Sequence, residues 1–178
     1  DLTEYSRKAG KQVVRLAKAG ITPSMIMTKE AFRNAIVVHS AIGGSTNALI
    51  HLPAIAKELG IELDPELFNE INRKIPHIGN VNPSGKHLTE SFWFAGGIPM
   101  VQIMLKDHLD LDVLTVTGKT LGENLEEIQR DGFFERNIGY LHNYGLERED
   151  VITPVETTKE MGSIAVLKGN LAPEGAVV

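Results

Sequence analysis

Leu2, Tyr5, Ala9, Val13, Leu16 and Ala17 recur at spacings of three and four residues, and Gly20 follows them. The period predicts an amphipathic helix over 2–19 with a glycine closing its end. Thr22-Pro23-Ser24 then turns the chain. Thr28 can cap a second helix that carries Phe32, Ala35, Ile36 and Ile42 inward. The β-branched run Ile36-Val37-Val38 also suits a strand, and helix is the favoured reading. After Gly43-Gly44, the trio Ser45-Thr46-Asn47 offers caps for a third helix reaching about Leu59, with Pro53 predicting a kink and Gly60 ending it. Asp64-Pro65-Glu66 opens a fourth, with an N-cap, a proline in the first turn and an early acid.

The stretch from His77 to Lys86 has glycine, asparagine and proline at turn density, and Gly96-Gly97-Ile98-Pro99 restarts a helix to about His108. Asp112-Val113-Leu114-Thr115-Val116 predicts a buried strand, followed by the turn Thr117-Gly118 and a helix from Lys119 to Arg130. Strand, short glycine turn and helix form the unit of layered α/β domains, so the fold class expected is α/β. From Ser163 the pattern changes to Ile164-Ala165-Val166-Leu167, a Gly169-Asn170 turn and Gly175-Ala176-Val177-Val178. That predicts β-rich structure beyond a domain boundary near 155–162.

Composition narrows the function classes. The 178 residues are 42% hydrophobic, enough for one sizeable core. A formal net charge of -5 with scattered lysines provides no basic stripe, which argues against a nucleic-acid partner. No apolar run approaches membrane-spanning length and no targeting signal is visible, so no membrane partner is expected and a cytoplasmic setting is the default. With no cysteine, these residues offer no disulfide, thiolate nucleophile or sulfur ligand for an iron–sulfur cluster. Asp1 runs straight into helical periodicity and Ala176-Val177-Val178 ends on an apolar run, both of which predict a segment of a longer polypeptide.

Candidate chemistry sits on two glycine turns. Gly43-Gly44-Ser45-Thr46-Asn47 places permissive backbone and three polar side chains at a helix start, where unpaired N–H groups can meet an anion; a simple capped turn fits the same spacing. Pro83-Ser84-Gly85-Lys86 brings a hydroxyl and an ammonium together, a grip for carboxylate or phosphate or else a solvated turn. Thr117-Gly118-Lys119-Thr120 is half a P-loop, because the required upstream glycine is Val113, and a nucleotide site is rejected. The histidines at 39, 51, 77, 87, 108 and 142 lack zinc-site spacing. His51 alone shares a helical face with Asn47, as a site residue or a buried structural one. No pair of acids reads as a catalytic dyad: Glu126-Glu127 and Glu147 to Asp150 look like solvated helix charges.

Read in order, Phe32 to Ala35, Gly43 to Ala48, His51-Leu52, Ala54-Ile55-Ala56, Pro83 to Lys86, Gly96-Gly97, Leu114 to Thr120 and Gly169 to Pro173 resemble the dihydroxy-acid and sugar-acid dehydratase family, which includes phosphogluconate and aldonic-acid dehydratases. The resemblance implies an enzyme about three times this length, with layered helices and mostly parallel strands followed by a β-barrel domain. Residues 1–158 would be the later part of the α/β domain and 159–178 the first strands of the barrel. It also implies an iron–sulfur cluster whose iron acts as Lewis acid on the 3-hydroxyl, magnesium at the carboxylate end, a base at carbon 2, and a homodimer or homotetramer. In the family, the cysteines and most magnesium ligands lie before this region and the serine base lies after it, so no catalytic or metal residue carries over. What carries over is supporting: Gly44, Ser45, Thr46, Asn47 and His51 near the active-site mouth, with Ser84 and Lys86 in substrate or inter-subunit contacts. Phe133 to Asp150 matches the family pattern least and is where subfamily identity would be encoded. The rival class is a non-catalytic small-molecule-binding or interaction module on the same scaffold.

Overall fold

The computed structural model describes residues 2–158 and 161–177, and helices make up most of it. In chain order they are α1 (Leu2–Lys18), α2 (Pro23–Ile26), α3 (Lys29–Ile42), α4 (Ala48–Glu58), α5 (Pro65–Asn72), α6 (Thr89–Phe94), α7 (Gly97–Met104), α8 (Leu121–Arg130), α9 (Phe133–His142) and α10 (Arg148–Val151). A 3-10 turn, Lys106–His108, follows α7.

Local caps explain where several helices start. The Thr28 hydroxyl accepts from the Ala31 N–H at 3.3 Å, and the Asp64 carboxylate accepts from the Glu66 N–H at 2.8 Å. Thr120 and Glu123 form a reciprocal capping box that starts α8 at Leu121. The open reading at Ile36-Val37-Val38 resolves as helix: Ile36, Val37, Ser40 and Ala41 are wholly buried along α3. Burial on that scale overrides the modest helix penalty of β-branched side chains, since each buried aliphatic is worth about 1.5–3 kcal/mol.

Around α3 lie two hydrophobic clusters, the larger including Ile36, Val37, Phe68, Ile78, Leu105 and Leu141 and the smaller built from Phe32, Ala56 and Leu63. The segment after α10 adds an antiparallel hairpin, β1 (Val166–Gly169) and β2 (Ala172–Val177), paired Val166 to Val177 and Gly169 to Ala172. It is the one named sheet among the described residues and it has two strands.

The expected layer of mostly parallel strands is therefore corrected. Asp112 to Val116 forms no strand: Asp112 and Val116 lie in turns, and Leu114 makes an isolated antiparallel bridge with Thr120, in the chain's own continuation. The Leu121 N–H bonds the Val113 carbonyl and the Gly122 N–H bonds the Leu111 carbonyl, so the chain folds back directly into α8. The single parallel pairing among the described residues is the isolated bridge between Val81 and His87.

Buried asparagines do the work a wider sheet would do. A primary amide carries one acceptor and donors in the same plane, so it can pair with a peptide unit as a neighbouring strand does. Asn34 on α3 donates to the Asp110 carbonyl at 2.8 Å and accepts from its N–H at 2.9 Å. Asn69 on α5 holds Val166 in the same reciprocal way, at 2.9 and 2.8 Å. Three residues further along, Asn72 accepts from the Ser163 and Ile164 N–H groups and from the Ser40 hydroxyl.

Candidate functional site

Gly43 ends α3 with φ 67° and ψ 48°, a left-handed conformation that glycine adopts without penalty. The N–H groups of Gly43 and Gly44 both turn back to the His39 carbonyl. Gly44 is fixed as glycine by crowding, because a Cβ there would lie 2.1 Å from the His39 ring. His39 Nε2 lies 2.8 Å from the Ser45 carbonyl, which can only accept, so Nε2 carries the hydrogen. The ring's other nitrogen, Nδ1, is buried without a hydrogen-bond partner.

Beyond this turn, Ser45, Thr46 and Asn47 are exposed. The Ser45 hydroxyl accepts from the Asn47 N–H at 3.3 Å, and α4 starts at Ala48 without a side-chain cap, which corrects the capping role expected of the trio. The Ser45 and Thr46 N–H groups have no acceptor among the described residues, the condition under which a helix entry can receive an anion. His51 lies one turn along, its N–H bonded to the Asn47 carbonyl, and it is exposed, which removes the buried structural reading.

The second turn is a compact loop from Asn80 to His87 that includes a cis Asn82–Pro83 peptide bond. The Asn80 side chain accepts from the Lys86 N–H at 3.0 Å and donates to the Asp150 carbonyl at 2.8 Å, pinning the loop to α10. A Cβ at Gly85 would sit 2.3 Å from the Asn80 backbone, so the loop closes only with glycine there. With the stretch Thr153 to Thr158, this loop walls a cleft of about 560 Å³. His77, Asn80, Ser84, Lys86, Thr153 and Thr157 are among its lining, and none of the described lining residues is a carboxylate. Lys86 is exposed and forms no ion pair among the described residues.

The two turns meet. A Cβ added to Gly43 would come 2.6 Å from Ser84 Oγ and 3.2 Å from His77 Nε2. Gly43 thus abuts the wall that carries Ser84 and Lys86, while Gly44, Ser45, Thr46, Asn47 and His51 all stand outside the cleft lining. His39, His77, Asn80, Thr153 and Thr157 are residues that sequence reasoning did not select. The one available signal was His39 in the last helical turn before the glycines; the others converge from segments with no shared spacing.

The cleft's described lining carries the Lys86 ammonium and no carboxylate, in a chain whose formal net charge is -5. Lys119 is taken up by Glu127 at 2.6 Å, so the half P-loop has no free ammonium. That hydrogen bond and the lysine's charge hold the Glu127 carboxyl below its ordinary range. Among the described residues no three histidine, aspartate or glutamate side chains are grouped to hold a metal ion, and no helix is long and apolar enough to cross a membrane. A small anionic molecule is what the cleft can take: it offers an ammonium, hydroxyls and an amide, without a competing carboxylate.

Fold and site thus define a mixed, helix-rich domain with one antiparallel hairpin and a polar cleft that has no carboxylate among its described lining residues. Residues 1–124 match the family model described as "Dihydroxy-acid/6-phosphogluconate dehydratase N-terminal", and the chain belongs to that family. It is 44% identical over 176 residues to a dihydroxy-acid dehydratase of Halothermothrix orenii, covering 97% of this chain and 29% of that protein. Dihydroxy-acid dehydratases of Methanothermobacter thermautotrophicus and Ignicoccus hospitalis are 40% and 43% identical over 177 residues each. Both alignments cover 98% of this chain and 29% of the relative. The chain therefore spans less than a third of the length of these curated relatives.

Proposed function

We propose that these residues are part of a longer hydro-lyase that removes water from a 2,3-dihydroxy acid, either a sugar acid or a branched-chain dihydroxy acid. The family match over residues 1–124 carries this reading. In the reaction a proton leaves C2, the C3 hydroxyl leaves as water, and the enol tautomerises to a 2-oxo-3-deoxy acid. Support for a binding role comes from the cleft beside the Gly43 turn, where Lys86 and Ser84 suit the acid's carboxylate or its distal hydroxyls. Gly44, Ser45, Thr46, Asn47 and His51 are assigned to the mouth of the same site.

The iron–sulfur cluster and magnesium implied by the family belong, in this reading, to other parts of the protein. These residues do not fit either group: the chain has no cysteine, and no metal-holding cluster exists among its described residues. They bind and orient the acid, and alone they are inactive. Residues 1–158 are assigned to the α/β domain and 159–178 to the start of a barrel domain, in a cytoplasmic homodimer or homotetramer.

Full-length protein, assayed for 2-oxo acid formation against aldonic acids and dihydroxyisovalerate, is expected to turn over at least one, and the 178-residue chain none. Full-length protein inactive on every dihydroxy acid, or dehydration by the isolated chain supplied with iron, sulfide and magnesium, contradicts the proposal.

A further inference from the structure

Helix α1 is 17 residues long and buries none of them. Leu2, Tyr5 and Val13 are 85%, 65% and 62% exposed, although they lie on one apolar stripe with Ala9 and Leu16. Only Gln12 and Leu16 are even partly covered, and Gln12 donates to the Val116 carbonyl at 2.9 Å. The cations Arg7, Lys8, Lys11, Arg15 and Lys18 occupy the opposite side of the helix. An isolated helix of about 12–15 residues is marginal in water, and most helix stability in proteins comes from packing an apolar face. The stripe is thus built to be covered.

Its geometry says by what. Positions 2, 5, 9, 13 and 16 recur at spacings of three and four, the narrow seam by which one helix packs on another, with small Ala9 at its middle. A lipid surface is met by a wider apolar face with large aromatic and aliphatic side chains. A second copy of this chain is poorly suited, because the seam runs for about two and a half heptads, short of the three to four that sustain a coiled coil. The curated relatives carry most of their length outside the region matched here.

We infer that the Leu2-Tyr5-Ala9-Val13-Leu16 stripe of α1 is an intramolecular docking seam, covered by an apolar-faced helix from the remaining part of the full-length polypeptide. The inference rests on the reading of this chain as part of a longer enzyme.

Hydrogen exchange of the amides of residues 6–18 in the full-length protein and in the 178-residue chain tests it. Exchange is expected to be at least about 100-fold slower in the full-length protein, as for a packed rather than a fraying helix. Val13→Asp should abolish that protection, and Lys11→Asp, on the cationic face, should leave it intact. Equal exchange in both proteins overturns the inference. So does protection in the short chain that rises with its own concentration, which would make a second copy the occupant. Protection of the full-length protein only on vesicles rich in anionic lipid overturns it in favour of a membrane. An active dehydratase with an unprotected α1 refutes the seam alone; a protected α1 in a protein without dehydratase activity refutes the enzymatic reading alone.

Discussion

Replacing Asn72 with alanine tests whether side-chain amides substitute for a sheet. The Asn72 oxygen accepts from the Ser40 hydroxyl at 2.9 Å, the Ser163 N–H at 3.0 Å and the Ile164 N–H at 3.1 Å, and its nitrogen donates to the Phe68 carbonyl at 2.8 Å. Alanine strands those donors. The Ser40 hydroxyl can rotate to a carbonyl of its own helix and contributes little to the cost. The two backbone N–H groups have no such choice, and each buried unsatisfied donor costs about 1–3 kcal/mol. Ser163 is only half-buried and can recruit water, so the expected loss is about 3 kcal/mol, a fall in Tm of roughly 6–12 °C for a chain of this size. Urea unfolding of the 178-residue chain followed by far-ultraviolet circular dichroism measures it. Ser40→Ala added to the Asn72→Ala protein should change stability by about 0.5 kcal/mol or less, since its hydroxyl has already lost its partner. A loss below about 0.5 kcal/mol for Asn72→Ala would show that the Asn72 amide does not hold the Ser163–Ile164 backbone, and its part in the account of the asparagine clamps would fall.

Two other perturbations probe the turn and the α8 cap. Gly43→Ala forces a Cβ into a left-handed residue 2.6 Å from Ser84 Oγ, so it should lose about 1–3 kcal/mol in the same urea assay and displace the Ser84 side chain, visible in a crystal structure. Glu123 has its carboxyl held below the ordinary range by the Thr120 N–H first, then by the Thr120 hydroxyl and the Lys119 charge. A depressed folded-state pKa contributes stability above the unfolded carboxylate's pKa and loses it as pH falls through the folded value. Glu123→Gln should therefore be less stable than the parent near neutrality and converge with it in acid, in thermal melts across that range. A stability gap independent of pH would mean that charge at Glu123 plays no part.

The helices were legible because their signals are local. Thr28 and Asp64-Pro65 each act within one turn of the residues they cap, and the structure places caps at both, while the Thr120–Glu123 box that starts α8 at Leu121 was not read from the sequence, which placed that helix from Lys119. Asp112 to Val116 misled because a short apolar run does not say what it pairs with; here the partner is the turn just beyond it. Asn34, Asn69 and Asn72 carry no sequence mark of burial, since asparagine is usually at the surface, and their partners lie 76, 97 and up to 92 residues away. Periodicity identified the apolar side of α1 but not whether anything covers it. Both glycine turns were visible in the sequence, while their meeting at Gly43 and Ser84 depends on how α3 and the 80–87 loop pack.

The central claim, that this chain lends a dehydratase the cleft that holds its acid substrate, is tested most directly by steady-state kinetics of full-length Lys86→Met and Ser84→Ala. A charge-assisted hydrogen bond is worth about 1.5–3 kcal/mol, so Lys86→Met should raise KM for the preferred dihydroxy acid roughly 10- to 100-fold with kcat far less affected. Ser84→Ala should raise it by a smaller factor. Unchanged KM and kcat in both variants would contradict the account and leave the cleft without a role in binding the acid.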